Sequence, residues 1–478
     1  LKMNLLIFTP VLPEIAITIV SMFLLIIGVF KKNEKTYSTI SNLAILSLLV
    51  VLFLIFSGSV PKGVSFGGSL ITDSFSLYLK TLILTSSIII LIVSNIYLRN
   101  INLLKFEYII LVLLSVVGMM IMVSSNDLIS LYLSIELQSL PLYVLASIRN
   151  KSSKSTESGL KYFVLGALSS CILLYGLSLI YGYTGSIYYN EIASNLSEYD
   201  VGILIGVAFT LAGFAFKISA VPFHMWTPDV YEGSPTTVTA FFAVAPKIAA
   251  LGLIVRILIT AMPNLIADWQ SILILLSIFS MLLGAFSAIG QRNLKRLLAY
   301  SSISHMGFAL MGVINGSFDG VRSLSLYMLI YLVMSLALFI SIIALKTNDE
   351  HIENIEDISG LAKINPVMAL IISILLFSLA GIPPLAGFFA KFYVLYAAID
   401  AKLYYLAIFG VLSSVISAFY YLRIIKVMYF EESAISFDPI SKRLKTIIYL
   451  LTAITLLFFL RPSIFINFAG TASASLFI

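Results

Sequence analysis

The sequence predicts an all-α membrane protein with about fourteen transmembrane helices. Of its 478 residues, 60% are hydrophobic and only 11% are charged, and the mean hydropathy is +1.05. Such a chain has too little polar surface to cover a water-soluble globule of this size. Apolar runs of about 18 or more residues recur throughout, and each could cross roughly 30 Å of hydrocarbon as a helix. Barrel strands would be shorter and would alternate polar with apolar residues, so a helical bundle is the fold that fits.

The predicted spans follow one another closely, and no soluble domain fits between them. They cover residues 5–30, 39–58, 75–97, 107–124, 127–148, 160–184, 201–222, 235–262, 268–290, 295–315, 322–346, 366–398, 402–430 and 446–468. The first span carries Pro13 and Glu14 and lacks a cleavage-like motif of small residues, so we expect it to be retained rather than removed as a signal peptide. Cys171 is the sole cysteine, and we expect neither an internal disulfide nor a bound metal.

The placement of Lys and Arg predicts the orientation of the spans. With the N-terminus outside, the loops after the odd-numbered spans lie inside and hold most of the 29 basic residues. The positive-inside rule therefore places both termini outside and favours an even number of spans. In a membrane protein the net charge of +6 reflects this asymmetry, so we expect the lipid bilayer, and no nucleic acid, as a partner.

Among the ionisable side chains inside predicted spans, four stand out: Glu136 in the fifth, Lys217 in the seventh, Lys247 in the eighth and Lys391 in the twelfth. A charge near the bilayer centre costs about 2.5–3.5 kcal/mol on insertion scales, so four in one chain need a reason. A single lysine could extend to the interface or form a structural salt bridge. Even if Glu136 pairs with Lys217, the other two lysines lack an acidic partner within the predicted core. Burial favours a neutral lysine and a nearby carboxylate favours a charged one, so these groups indicate a proton relay.

Prolines accompany the three lysines. They are Pro222 after Lys217, Pro246 directly before Lys247, and Pro383 and Pro384 before Lys391. We expect a kink or a break in the helix at each of these positions. Broken helices within a bilayer are tolerated only against protein or a wet cavity, and in transporters they mark ion sites. A kink that serves packing alone is the alternative.

The order of lysine and proline is mirrored between two spans. Lysine precedes proline in span 7 and follows it in span 12, and these spans cross the membrane in opposite directions. This pattern predicts two inverted five-helix repeats with broken helices in spans 7 and 12. The predicted organisation is helices 1–3 over residues 1–106, a first repeat (helices 4–8) over 107–262, a second, inverted repeat (helices 9–13) over 263–430, and C-terminal helix 14 over 431–478.

Two histidines extend the line of polar groups. His305 lies in span 10 near Ser301 and Ser302, and we expect it to continue the relay, although a hydrogen-bonded role in packing is the alternative. His224 lies near the end of span 7 beside Trp226, where an interfacial role is the alternative.

Five stretches resemble one family of membrane proteins. They are NDLISLYLSIELQSLPLYVL, KYFVLGALSS, FKISAVPFHMWTPDVYEGSPT, KRLLAYSSISHMGF and GIPPLAGFFAKFYVL. Together they resemble the subunit N (subunit 2) family of the proton-pumping NADH-quinone oxidoreductases, respiratory complex I, within the wider class of antiporter-like subunits. The likeness covers roughly residues 10–430, and WTPDVYEGSP, which contains Asp229, discriminates best against the sister subunits and the cation/proton antiporters.

The resemblance implies a role for each charged group. Glu136 and Lys217 would form the coupling pair, Lys247 the central connecting lysine and Lys391 the terminal lysine on the exit side. His305 is expected along the path because of its polar neighbours. His224, Asp229, Tyr300, Ser301 and Ser302 are accessory candidates.

The resemblance also implies partners. These would be other membrane-arm subunits of complex I, both antiporter-like and small ones, in a bacterial plasma membrane or the mitochondrial inner membrane. No cofactor is expected on this chain, while NADH, FMN, iron-sulfur clusters and quinone are expected in partner subunits. The chain has no Cys cluster, Gly-rich nucleotide loop or paired haem histidines, which agrees with this. A cation/proton antiporter, stand-alone or of the Mrp type, and a purely structural scaffold are the alternatives.

Overall fold

The computed structural model describes residues 8–31, 34–196, 200–347, 350–432 and 437–477. Residues 5–7 of the first predicted span lie outside these ranges. Within them, thirteen helices are long and apolar enough to cross a membrane, and Pro366–Ala380 is a shorter apolar helix. The predicted all-α, multi-span membrane fold is confirmed.

The helices are numbered here along the chain. They are α1 (Leu12–Phe30), α2 (Glu34–Phe56), α3 (Ser74–Asn100), α4 (Phe106–Ser124), α5 (Leu128–Ala146), α6 (Ser153–Thr184), α7 (Tyr189–Asn195), α8 (Val201–Ile218), α9 (Trp226–Gly233), α10 (Thr236–Thr260), α11 (Ile266–Ile289), α12 (Leu294–Ile314), α13 (Phe318–Ala344), α14 (Leu361–Ile364), α15 (Pro366–Ala380), α16 (Ala386–Asp400), α17 (Tyr404–Phe430), α18 (Lys442–Leu457) and α19 (Pro462–Ala474). Two antiparallel strand pairs are short, β1 (Gly63–Ser65) with β2 (Leu70–Thr72) and β3 (Lys346–Thr347) with β4 (Glu350–His351).

Helix breaks occur at the prolines of both spans in which they were expected, at the end of span 7 and inside span 12. Span 7 ends with α8 at Ile218, and the short helix α9, which the sequence did not predict, begins at Trp226. Span 12 is divided into α15 and α16, with Pro383 and Pro384 between them. The inverted repeat that the mirrored order predicts stays a prediction.

Two other expectations about helix ends were wrong. Pro246 does not break its helix, because α10 runs continuously through it. A proline removes one backbone hydrogen bond, and a helix whose remaining bonds are intact and whose surface is almost wholly buried tolerates that loss. Predicted span 14 also extends too far: the spanning helix ends at Leu460, and Pro462 starts α19, as its missing N–H suits the first position of a helix.

The described residues form two compact units, with boundaries between α8 and α9 and within α10, α11 and α19. Unit 1 holds those within Leu1–Ile218, Ala245–Ile272 and Thr471–Ile478, and unit 2 holds those within Ser219–Val244 and Leu273–Gly470.

In unit 1, α6 lies so close to α8 that their backbones touch. A Cβ added at Gly176 on α6 would lie 2.6 Å from the backbone nitrogen of Thr210 on α8, so only glycine fits there. Small residues allow helices to approach this closely in lipid, where van der Waals contact drives association. The contact holds α8, which carries Lys217 in its last turn, firmly against α6.

In unit 2, α12 and α13 form the interior. In each helix, 94% of the apolar span is buried. Polar caps start both helices: Asn293 accepts a hydrogen bond from the Arg296 N–H at 3.1 Å, and Ser317 accepts one from the Gly320 N–H at 3.2 Å. His305 of α12 therefore lies on a helix that is enclosed by protein.

Candidate site of proton translocation

Lys217 is buried at the end of α8 and contacts α5. Its Nζ donates a hydrogen bond to Ser139 Oγ at 2.8 Å, and Ser139 Oγ in turn donates to the carbonyl oxygen of Ile135 at 2.6 Å. The carboxylate of Glu136, one turn before Ser139 on α5, interacts electrostatically with the Lys217 ammonium. Ser170 on α6 donates a hydrogen bond to Glu136 Oε1. The predicted coupling pair therefore occupies one site, built by three helices of unit 1.

Glu136 is half-buried, not enclosed as the sequence suggested. It lies at the edge of the outward face of α5, where Leu133 and Leu140 are 60% and 53% exposed. Its carboxylate therefore faces both Lys217 and whatever covers this apolar face. A charge brought to that face from outside would act directly on the pair.

Lys247 follows Pro246 within α10 and is 1% exposed. It belongs to unit 1, and its burial is the most complete of the three predicted lysines. The sequence placed it correctly inside a span, and the structure adds that protein surrounds it.

Lys391 closes the break between α15 and α16. Its Nζ donates hydrogen bonds to the carbonyl oxygen of Ala380, the last residue of α15, at 2.9 Å and to Ser414 Oγ at 3.0 Å. It also lies 4.9 Å from the centroid of the Phe308 ring. A helix C-terminus carries unpaired carbonyls and a partial negative charge, both of which a lysine ammonium satisfies. Lys391 thus finds in a helix end the negative partner that the sequence did not reveal.

Gly381 permits this arrangement. It caps α15 in the left-handed conformation, with φ of 90°. A Cβ added there would lie 3.0 Å from Lys391 Cδ, so a larger residue would displace the lysine side chain as well as strain the turn.

His305 is the centre of a buried polar cluster in unit 2. Its Nδ1 lies 2.6 Å from the hydroxyl of Tyr327 on α13, and its Nε2 lies 3.3 Å from the hydroxyl of Tyr421 on α17. The Tyr421 hydroxyl lies 2.5 Å from Ser301 Oγ. Of the predicted accessory groups, Ser301 joins this cluster directly.

The other accessory candidates on α12 point elsewhere. Ser302 lies near the hydroxyl of Tyr331, whose ring packs beside His305. Tyr300 is half-buried and lies near Arg296. The sequence could not single out the cluster's tyrosines, because the chain has 25 tyrosines and most serve packing or interfaces.

Asp229 forms an ion pair with Arg296, where the sequence suggested an accessory proton group. The two side chains are 2.6 Å apart, and Arg296 also binds Glu232 at 3.1 Å. Lys295 Nζ donates to the carbonyl oxygens of Glu232 at 2.6 Å and Ser234 at 3.1 Å. The VYEGSP stretch therefore ties α9 to the start of α12. His224 is half-buried in the break before α9.

Sequence reasoning missed two buried ion pairs of unit 1. Glu14 on α1 lies 2.6 Å from Lys80 on α3, with side chains 4% and 0% exposed. Arg256 on α10 donates twice to Asp73, at 2.9 Å each. Burial alone would raise the pKa of Asp73, but the guanidinium and the hydrogen bonds from Ser76 together hold it below its usual value. Lys80, inside an apolar span, was the signal that could have revealed the first pair.

Comparison with known proteins shows the family. The family model described as the membrane region of NADH:quinone oxidoreductase and Mrp antiporters matches residues 125–417. Over 425 residues, 88% of each chain, this sequence is 54% identical to NADH-quinone oxidoreductase subunit N 1 of Rhizobium meliloti. Over 95% of each chain it is 50% identical to NADH-quinone oxidoreductase subunit N of Parvibaculum lavamentivorans. The chain belongs to the NADH-quinone oxidoreductase subunit N family.

Solved structures agree with membership in the subunit N family. A chain of respiratory complex I from Thermus thermophilus is 28% identical, with a TM-score of 0.83 over 96% of this chain and 100% of that one. A chain of the Mrp complex from Dietzia sp. is 22% identical, with a TM-score of 0.85 over 97% of both chains, which shows a shared fold alone. The range matched by the family model contains Glu136, Lys217, Lys247, His305 and Lys391 and excludes both residues of the Glu14–Lys80 pair.

Proposed function

We propose that this chain is a membrane-arm subunit of a proton-translocating NADH:quinone oxidoreductase and that it moves protons through its buried Glu, Lys and His side chains. Electron transfer from NADH to quinone takes place in partner subunits, which hold FMN, the iron-sulfur clusters and the quinone. The observation that carries the proposal is the site in which Glu136 interacts with Lys217 beside a helix break.

The half-buried position of Glu136 supports its role as the coupling group. A positive charge on a partner subunit, placed against the outward face of α5, attracts the Glu136 carboxylate. This weakens the interaction of Glu136 with Lys217. Since burial disfavours a charged lysine, Lys217 then releases its proton, and the return of the carboxylate restores the charged form. No large movement of α8 is needed, because Ser139 holds the Lys217 side chain while the Glu136 carboxylate moves.

Lys247, His305 and Lys391 continue the path in this proposal. Lys391 is suited to the terminal step because its ammonium is held by a helix end and a serine rather than by a carboxylate. It can therefore give up a proton without leaving a buried anion unpaired.

The proposal is tested by Lys217→Ala and Glu136→Gln in the assembled complex, reconstituted into vesicles. Both variants should assemble and should lose most of their coupled NADH oxidation with quinone and their proton pumping. The matched control is Lys161→Ala, because Lys161 forms an exposed ion pair with Glu157 on α6 and should be replaceable without effect. Pumping at the wild-type rate by Lys217→Ala would overturn the proposal.

A cation/proton antiporter is the competing function. The likeness to the Mrp chain reaches only 22% identity, whereas the relatives at 50% and 54% are named as subunit N. Cation-driven proton movement in vesicles that contain no electron donor would favour the antiporter. Pumping that requires NADH would support the complex I subunit.

A further inference from the structure

We propose that Tyr327 and Tyr421 carry protons together with His305, as links in one hydrogen-bonded chain from Ser301 through Tyr421 and His305 to Tyr327. This inference rests on the proposed function and adds two residues to it. The chain joins α12, α13 and α17, and all four of its members are buried.

The geometry allows a proton to pass without a gap. The contacts measure 2.5 Å from Ser301 to Tyr421, 3.3 Å from Tyr421 to Nε2 and 2.6 Å from Nδ1 to Tyr327. Hydroxyls both donate and accept, and a neutral imidazole has one donor and one acceptor nitrogen. Every link can therefore point in the same direction, and the tautomer of His305 sets which direction that is.

The transfer is balanced at each atom. A hydronium ion gives a proton to Ser301 Oγ, the Ser301 proton moves to the Tyr421 oxygen, and the Tyr421 proton moves to Nε2. The Nδ1 proton then moves to the Tyr327 oxygen, and the Tyr327 proton leaves to a water molecule. One proton enters, one leaves, no electron moves, and His305 changes tautomer. Rotation of the hydroxyls and turning of the ring reset the chain, and the sequence can also run in reverse.

A packing role alone does not account for the arrangement. Tyr331 packs its ring beside His305, with centroids 5.4 Å apart, and its hydroxyl lies near Ser302 and Ser335. Tyr327 and Tyr421 instead aim their hydroxyls at the two ring nitrogens. Tyr331, which packs beside the His305 ring, is therefore a matched control for Tyr327 and Tyr421, which contact the ring nitrogens.

The test compares Tyr327→Phe and Tyr421→Phe with Tyr331→Phe in the whole complex. Each variant keeps the ring and removes only the hydroxyl, so the complex should assemble. Proton pumping coupled to NADH oxidation should fall about 100-fold or more in the first two, since proton transfer by a positioned side chain typically contributes about 10²–10⁴-fold. Tyr331→Phe should pump normally. The solvent deuterium isotope effect on coupled turnover should rise in the first two and stay unchanged in the control.

Two outcomes separate this inference from the function it extends. Normal pumping by both Tyr327→Phe and Tyr421→Phe, while Lys217→Ala is inactive, would overturn the inference and leave the proposed function standing. Normal pumping by Lys217→Ala would overturn the function itself. A second test, with a smaller change, compares Ser301→Ala with Ser302→Ala. Ser301→Ala should impair pumping and Ser302→Ala should not. Equal effects would contradict the proposed hydrogen-bonded chain.

Discussion

At the scale of single residues, the surroundings of a buried charge determine how strongly that charge is stabilised. Lys391 meets the carbonyl end of a half-helix, Lys217 meets a serine and lies near a half-buried carboxylate, and Lys80 meets Glu14 directly. These environments stabilise the ammonium to different degrees. A buried ion pair costs several kcal/mol when one partner is removed, so Lys80 is suited to a structural role, whereas proton transfer by the other two lysines is part of the proposed function.

The Glu14–Lys80 pair leads to a prediction about stability. Lys80→Met alone should destabilise the fold by about 3–5 kcal/mol, because it leaves the Glu14 carboxylate buried without a partner. The double variant Glu14→Leu with Lys80→Met should recover most of that loss. The midpoint of thermal dissociation of the complex measures both effects.

Comparing stability with proton pumping in the two variants separates a structural role of the pair from a role in proton transfer. Proton pumping per intact complex should be unchanged in both, since the pair lies outside the matched antiporter region. Equal stability of the single and double variants would contradict the role assigned to the pair.

At the scale of elements, the short helix α9 depends on α12 for its position. It has only eight residues, too few to be stable alone in water, and its middle and C-terminal end are held by Arg296 and Lys295. Lys295 is 5% exposed and satisfies two carbonyl oxygens, whereas Arg296 is about a third exposed and binds two half-buried carboxylates. The buried contact should therefore count for more than the ion pairs.

Hydrogen–deuterium exchange over Trp226–Gly233 tests this ranking. Lys295→Met removes two hydrogen bonds from a charged donor to carbonyl oxygens, worth about 1.5–3 kcal/mol each, and should raise exchange strongly. Arg296→Gln removes partly solvated ion pairs, worth about 1 kcal/mol or less, and should raise exchange slightly. Arg292→Gln is the control, because the Arg292 side chain is exposed. Exchange that is equal in all three would show that α9 is held in another way.

The element scale also shows how far sequence signals reach. The breaks in spans 7 and 12 were predictable from prolines near lysines, because proline acts locally on its own helix. Pro246 carried the same signal and left α10 intact. The difference lies in the surrounding protein, and no local pattern reports it.

At the scale of the whole molecule, the chain presents an apolar surface. Large apolar side chains are exposed on many helices, such as Phe23 at 59%, Leu168 at 59% and Val415 at 68%. A soluble protein would not expose so many, and a membrane or apolar partner subunits would cover them.

Orientation in the membrane remains a prediction at this scale, and it can be measured. In a Cys171→Ser background, Lys62→Cys lies in a predicted outer loop and Lys151→Cys in a predicted inner loop, and both positions are exposed. A membrane-impermeant maleimide added to intact cells should label Lys62→Cys and spare Lys151→Cys until the membrane is opened. The reverse pattern would show that the positive-inside rule fails for this chain.

The sequence by itself determined the class of protein, its spans, its family and the intramembrane position of Lys217, Lys247 and Lys391. These follow from hydropathy and local motifs, because each span must be long and apolar enough to cross the membrane and must pair its own backbone polar groups. Only the tertiary structure decided that Glu136 is half-buried, that Lys391 binds a helix end, that Asp229 pairs with Arg296, and that two tyrosines flank His305. Those contacts join residues far apart in the chain, and they depend on how helices pack, which composition and periodicity do not encode.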